Sequence, residues 1–168
     1  MSVIADLVER LQRVLEAEED VYRRLKSVLR REERELIELD PIVLERTTAE
    51  KAALAAEAKL HEDARVELAA ALGATLGLPG STVRLSEIVS ELGAEGGELP
   101  GLHARLTAIV GTTRSLLIAN ERFANRSLSH VKDTLRLLGQ AVPDVSTYGP
   151  GMARTPSNGR GRLVRAAI

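Results

Sequence analysis

Apolar residues in the first part of the chain recur at alternating steps of three and four. Ile4, Leu7, Leu11, Val14, Val21, Leu25 and Val28 form one row, broken where Glu18 occupies the stripe. Val8, Leu15, Tyr22, Leu29 and Leu36, each seven apart, form a second row beside it. The intervening positions are mostly Glu, Arg and Lys, so the rows predict one helix with a wide apolar face over residues 3 to about 38. No proline or glycine interrupts it, and at about 1.5 Å per residue it is roughly 50 Å long. Asp40-Pro41 marks a boundary: Asp40 can cap, and Pro41 suits a first helical position, where no N–H is needed. A second helix follows to about residue 76 through Leu44, Leu54, Ala55, Ala58, Leu68, Leu72 and Leu76, weakened by Gly73 in its last turn. Ala52, Ala53, Ala55, Ala56 and Ala58 combine high helix propensity with a surface another helix can approach closely. So short a turn predicts an antiparallel hairpin.

Gly77-Leu78-Pro79-Gly80 ends the second helix, and Ser81 or Thr82 is placed to cap the next. Leu85, Ile88, Val89 and Leu92 predict a short helix of about ten residues, broken by Gly93-Ala94-Glu95-Gly96-Gly97. Pro100 opens the last long helix, read to about residue 138 through Leu102, Leu106, Ile109, Leu116, Leu117, Phe123, Leu128, Val131, Leu135 and Leu138. Thr113 and Asn120 sit on the same stripe, where polar residues fix register at a cost in stability. Gly139 is placed to stop the helix in a left-handed cap. Beyond it the pattern vanishes: residues 140–168 hold Pro143, Pro150, Pro156 and four glycines, and read as a disordered tail. The expected fold is all-α: an elongated antiparallel helical bundle or coiled coil of three long helices plus one short one. A helical domain occupies residues 1–139 and a flexible basic tail residues 140–168.

Composition narrows the function more than the fold. Aromatics make up only 2%, so the apolar surface comes from Leu, Val, Ile and Ala, which suits helices packed along shared seams. There is no cysteine, which excludes disulfides, thiolate metal sites and cysteine nucleophiles. Net charge is −1, with Arg154, Arg160, Arg162 and Arg165 against Asp144 placing +3 in the tail and −4 in the remainder. No aromatic interleaves those arginines, so no nucleic-acid partner is expected. No apolar run approaches the roughly 20 residues of a membrane span, and Met1-Ser2-Val3-Ile4-Ala5-Asp6 lacks a basic leader; a cytoplasmic protein without membrane insertion is expected.

Catalytic chemistry finds no foothold. His61, His103 and His130 lack metal-site spacing, so no metal or cofactor is expected. The acidic run Glu32-Glu33-Arg34-Glu35 reads as a helix surface rather than paired catalytic carboxylates. Gly149-Pro150-Gly151 has no strand before it, and its proline lacks the N–H a phosphate cradle uses. The chain reads as a binding protein and not an enzyme.

One polar cluster and one tail motif remain. Leu116-Leu117-Ile118-Ala119-Asn120-Glu121-Arg122-Phe123-Ala124-Asn125-Arg126-Ser127-Leu128 lies mid-way along the last helix, and Thr147-Tyr148-Gly149-Pro150-Gly151-Met152 follows in an otherwise bland tail. Ahead of them Glu18, Tyr22, Leu25 and Leu29 precede an acidic patch, then Leu44 and Lys51, then Arg65 and Leu68. This order, over nearly the whole chain, resembles the FlgN family of flagellar export chaperones, although each motif is degenerate and residues 153–168 depart from the pattern. The resemblance implies a chaperone that holds the hook-associated (hook–filament junction) proteins unassembled before export. It also implies docking on the cytoplasmic domain of the flagellar type III export gate.

On that basis the expected client-binding residues are Leu117, Asn120, Phe123, Asn125, Leu128, Val131, Leu135 and Leu138. The residues expected to dock on the gate are Tyr148, Gly149 and Met152. Residue by residue, simpler readings stand beside these. Leu128, Val131, Leu135 and Leu138 can close the protein's own bundle, Phe123 can be core, and Asn120 and Asn125 can be register devices or a solvated face. The stripes also suit a homodimer, a coiled-coil scaffold, or a chaperone for another secretion client.

Overall fold

The structure, a computed structural model, describes residues 3–78 and 83–141. Val3–Glu38 form α1, 36 unbroken helical residues whose two apolar rows turn inward, burying Leu11, Leu15, Val21, Val28 and Leu29 among others. The helix stops at Leu39, which takes φ 55° and returns its N–H to the Glu35 carbonyl at 3.0 Å. A left-handed conformation costs a residue with a Cβ roughly 1–2 kcal/mol. Asp40 then caps α2 (Pro41–Leu76): its Oδ1 accepts from Ile42 N at 2.9 Å and Val43 N at 3.3 Å, with Pro41 opening the helix.

Polar pairs set the register of this hairpin. As the α1 partner climbs from Glu18 through Arg24 and Arg31 to Glu35, the α2 partner descends from Arg65 through Glu57 and Glu50 to Thr47. The two helices are therefore antiparallel. Between the polar pairs, Val21, Val28, Leu54 and Ala58 form an apolar cluster of these two helices alone.

Gly77 (φ 73°) ends α2 with two capping bonds: its own N–H reaches Ala74 O at 3.2 Å, and Leu78 N reaches Gly73 O at 2.9 Å. This is the paired 6→1 and 5→2 pattern that satisfies the last carbonyls. Gly73 does not end the helix but is needed within it. A Cβ there would sit 2.6 Å from Val83 Cγ2, so only glycine lets the returning chain approach.

The short helix α3 spans Leu85–Leu92, eight residues rather than ten. Its N-cap is Arg84, whose backbone N–H donates to Glu87 Oε2 at 2.8 Å; the candidate caps Ser81 and Thr82 lie outside the described residues. A 3-10 turn, Gly93–Gly96, leads into α4 (Leu99–Ala141). That helix begins one residue before Pro100 and runs through Gly139. Glycine inside a helix costs only about 1 kcal/mol relative to alanine, so the expected left-handed stop does not form; Pro143 follows soon after in the sequence.

The chain divides after His130. In the first unit, Leu99, Leu102 and Leu106 of α4 enter the main core with Leu7, Leu11 and Leu15 of α1, Leu72 of α2 and Ile88 and Leu92 of α3. Here α4 runs parallel to α1: Gln12 Nε2 contacts Gly96 O just ahead of α4, Arg105 meets Glu19, and Asn120 meets Leu29 and Glu32. Of the second unit, the described part is the helical stretch 131–141. Among the described residues all regular structure is helical.

Candidate functional site: the seam and open edge of the last helix

Below Val110, α4 is held by leucines. Above it, the seam changes character. Thr113 and Asn120, seven residues apart on one face, are both buried, Asn120 to 5% exposure. The Asn120 amide donates to the Leu29 carbonyl at 2.8 Å and to Glu32 Oε2 at 2.9 Å. Glu32 also accepts from Lys51 Nζ of α2, so one buried carboxylate ties three helices together. One turn further along α1, Glu35 accepts from Thr47 Oγ1 at 2.6 Å and from Arg31 at 3.1 Å. Thr113 Oγ1 is buried with no hydrogen-bond partner among the described residues.

These contacts correct two expectations. Asn120 is not on an open face: its amide is spent inside the protein, which matches the register reading rather than a hydrogen bond to a client. The acidic run Glu32-Glu33-Arg34-Glu35 is not simply surface, because Glu32 and Glu35, three apart, point inward and are buried, while Glu33 is exposed. Glu18, which interrupts the apolar stripe of α1, is likewise buried and accepts from Arg65 Nε at 2.9 Å. Burial raises its pKa above the ordinary carboxylate value, opposed by Arg65. The Tyr22 hydroxyl is also pushed up, by burial first and by Glu18 second. Both line a groove of about 680 Å³ shared with Arg65, Leu106 and Val110.

The helix surface away from the seam is open. Leu117 is 46% exposed and Leu128 53%; Phe123 and Ile118 are also exposed, as is Asn125. Leu117 and Leu128 are eleven residues apart, close to three turns, and so share one flank, whereas Phe123 lies on the other flank of Asn120. The exposure of Leu128 has a geometric cause. Asn120 is level with Leu29 and Glu32, and α1 ends at Glu38, so α4 draws level with that end at about residue 126–129 at the common rise of about 1.5 Å. Leu128 has no α1 residue left to cover it. In the second unit, taken by itself, Val131, Leu135, Leu137 and Leu138 are exposed. Tyr148, Gly149 and Met152 lie outside the described residues.

His61 and His103 are half-buried and His130 is exposed. Among the described residues no cluster of three or more His, Asp or Glu could hold a metal ion, and no helix is long and apolar enough to cross a membrane.

Sequence reasoning placed Glu18 on the stripe but missed that Glu18, Glu32 and Glu35 are buried, with Glu18 paired to Arg65 and Glu32 to Lys51. A signal was available: each carboxylate continues the steps of three and four set by its apolar neighbours.

No curated protein and no solved structure matches the chain. A family model described as FlgN protein matches residues 1–155, nearly all of its length. The helical layout agrees, and the chain belongs to the FlgN family, a family of flagellar export chaperones.

Proposed function

We propose that this protein is a cytoplasmic chaperone that holds hook–filament junction subunits on α4 and delivers them to the export gate. The observation that carries the reading is a change of state along one helix. Leu99, Leu102 and Leu106 are buried in the core, while Leu117, Phe123 and Leu128 of the same helix stand exposed. An amphipathic client segment laid along the Leu117 and Leu128 flank covers those two side chains, and Phe123 offers a contact on the other flank. Each fully buried leucine-sized group contributes roughly 1.5–3 kcal/mol before ordering costs, so four or five anchors, less those costs, reach the roughly 8 kcal/mol of micromolar binding. That strength suits a client that must later be released.

Within this reading Leu117, Phe123 and Leu128 are client contacts with Asn125 beside them, and Val131, Leu135 and Leu138 offer further apolar surface. Asn120 instead holds α4 in register. Gate docking rests on the family resemblance of Tyr148, Gly149 and Met152.

The test is gel filtration of the purified protein with each hook-associated subunit. A stoichiometric complex is expected, weakened by Leu117→Ser with Leu128→Ser; the absence of a complex with either subunit removes the proposal. Tyr148→Ala should spare that complex and weaken binding to the export gate's cytoplasmic domain. Equal loss of both would mean that the tail is not a separate site.

A further inference from the structure

The basic residues of the hairpin are largely neutralised. Arg13, Arg23, Arg24, Arg31 and Arg65 each pair with a carboxylate, and Arg105 of α4 pairs with Glu19. Further along α4 this stops. Arg114, Arg122 and Arg126 are exposed, and none forms an ion pair among the described residues.

Their spacing is regular. Arg114, Ile118, Arg122 and Arg126 occupy successive steps of four, one continuous row on the helix surface. A self-sufficient helix would place a carboxylate in such a row; this one places Ile118, and leaves Arg122 and Arg126 as neighbours of like charge. The nearby acid Glu121 adjoins Arg122 in sequence, and adjacent residues do not face one another on a helix. Leu117, three residues after Arg114, borders the start of the row, and Ile118 lies within it; Leu128 sits on another face, roughly 120° or more round the helix from Arg122 and Arg126. An apolar strip edged by unpaired arginines asks for an occupant with both complements.

We infer that this edge of α4 selects a client helix that carries carboxylates alongside its apolar face. The inference rests on the chaperone reading and deepens it. Leu117 and Ile118 bury the client's apolar residues, and Arg114, Arg122 and Arg126 meet its Asp or Glu side chains, fixing orientation and speeding encounter. Nucleic acid supplies the charge but not an aliphatic counterpart to Leu117 and Ile118.

The experiment compares hook-associated subunit binding by the wild type, Arg122→Gln/Arg126→Gln and Arg122→Glu/Arg126→Glu at about 0.05 M and about 0.5 M salt, where screening lengths differ roughly threefold. Both substituted positions are exposed, and circular dichroism checks that the helices persist. At low salt the Gln pair should bind more weakly than wild type, and the Glu pair weaker again by about 10-fold or more. High salt should narrow the gap. Leu117→Ser should weaken binding at both salts while leaving the salt dependence in place. Equal binding by all three arginine forms overturns the inference and leaves the chaperone reading intact. No binding by the wild type overturns both. Binding of duplex DNA or of phosphatidylserine vesicles as tightly as the subunit, with the same loss in the Glu pair, overturns it in favour of a general polyanion surface.

Discussion

The side-chain amide of Asn120 donates to Glu32 Oε2 at 2.9 Å, joining residues 88 positions apart in the chain. Glu32 is also bonded to Lys51, so this contact closes α1, α2 and α4 around a single carboxylate. Asn120→Ala removes both donors to buried acceptors and should destabilise the protein by about 1–3 kcal/mol. Asn120→Asp sets two carboxylates against each other and should cost more at neutral pH, with the excess relieved in acid as one of them protonates. Urea melts of both variants at pH 7 and pH 5 check this.

Thr113 carries a buried hydroxyl with no partner among the described residues. Valine has nearly the same shape and no polar atom to desolvate, so Thr113→Val should stabilise the protein by about 1 kcal/mol. Loss of stability in chemical denaturation would show that the hydroxyl has a partner in solution.

Glu18 makes a signed pH prediction. Its pKa is raised in the folded protein, so the folded state binds its proton more tightly than the unfolded state. The favourable contribution of the protonated form is full below the ordinary carboxylate value of 4.5 and is lost as pH rises through the raised folded value. Glu18→Gln removes this dependence. Stability of the variant relative to wild type should therefore increase as pH rises from just below 4.5 towards neutrality; a difference that falls with pH would show that Arg65 outweighs burial.

Gly73→Ala should destabilise the protein by about 1–3 kcal/mol, because the new methyl meets three atoms of Val83 at 2.6–3.2 Å. Val83 is β-branched and cannot swing aside, so Gly73→Ala combined with Val83→Ala should lose less than the two single changes added together. Thermal melts of the four proteins complete the cycle.

Much of this was legible before any coordinates. The steps of three and four marked α1 to within a residue of its ends, and Asp40-Pro41 announced the hairpin through a cap whose chemistry is local. The seam of α4 was legible too, since Thr113 and Asn120 fall on its stripe. What Asn120 bonds was not, because its partners lie on α1 and pattern within one helix says nothing about another. Gly73 illustrates the same limit from the opposite side: propensity marks it as weakening α2, and only the position of Val83 shows why nothing larger fits.

By itself the sequence determined which stretches are helical, where they turn, and which face of each is apolar, because backbone hydrogen bonding and amphipathic spacing act over a few residues. Tertiary structure alone decided which part of an apolar face is left uncovered. Leu106 and Leu128 carry the same side chain on the same helix, yet one is buried and the other open. Leu106 packs in the core shared with α1, α2 and α3, whereas Leu128 lies level with the end of α1, a relation between distant segments that no local pattern encodes.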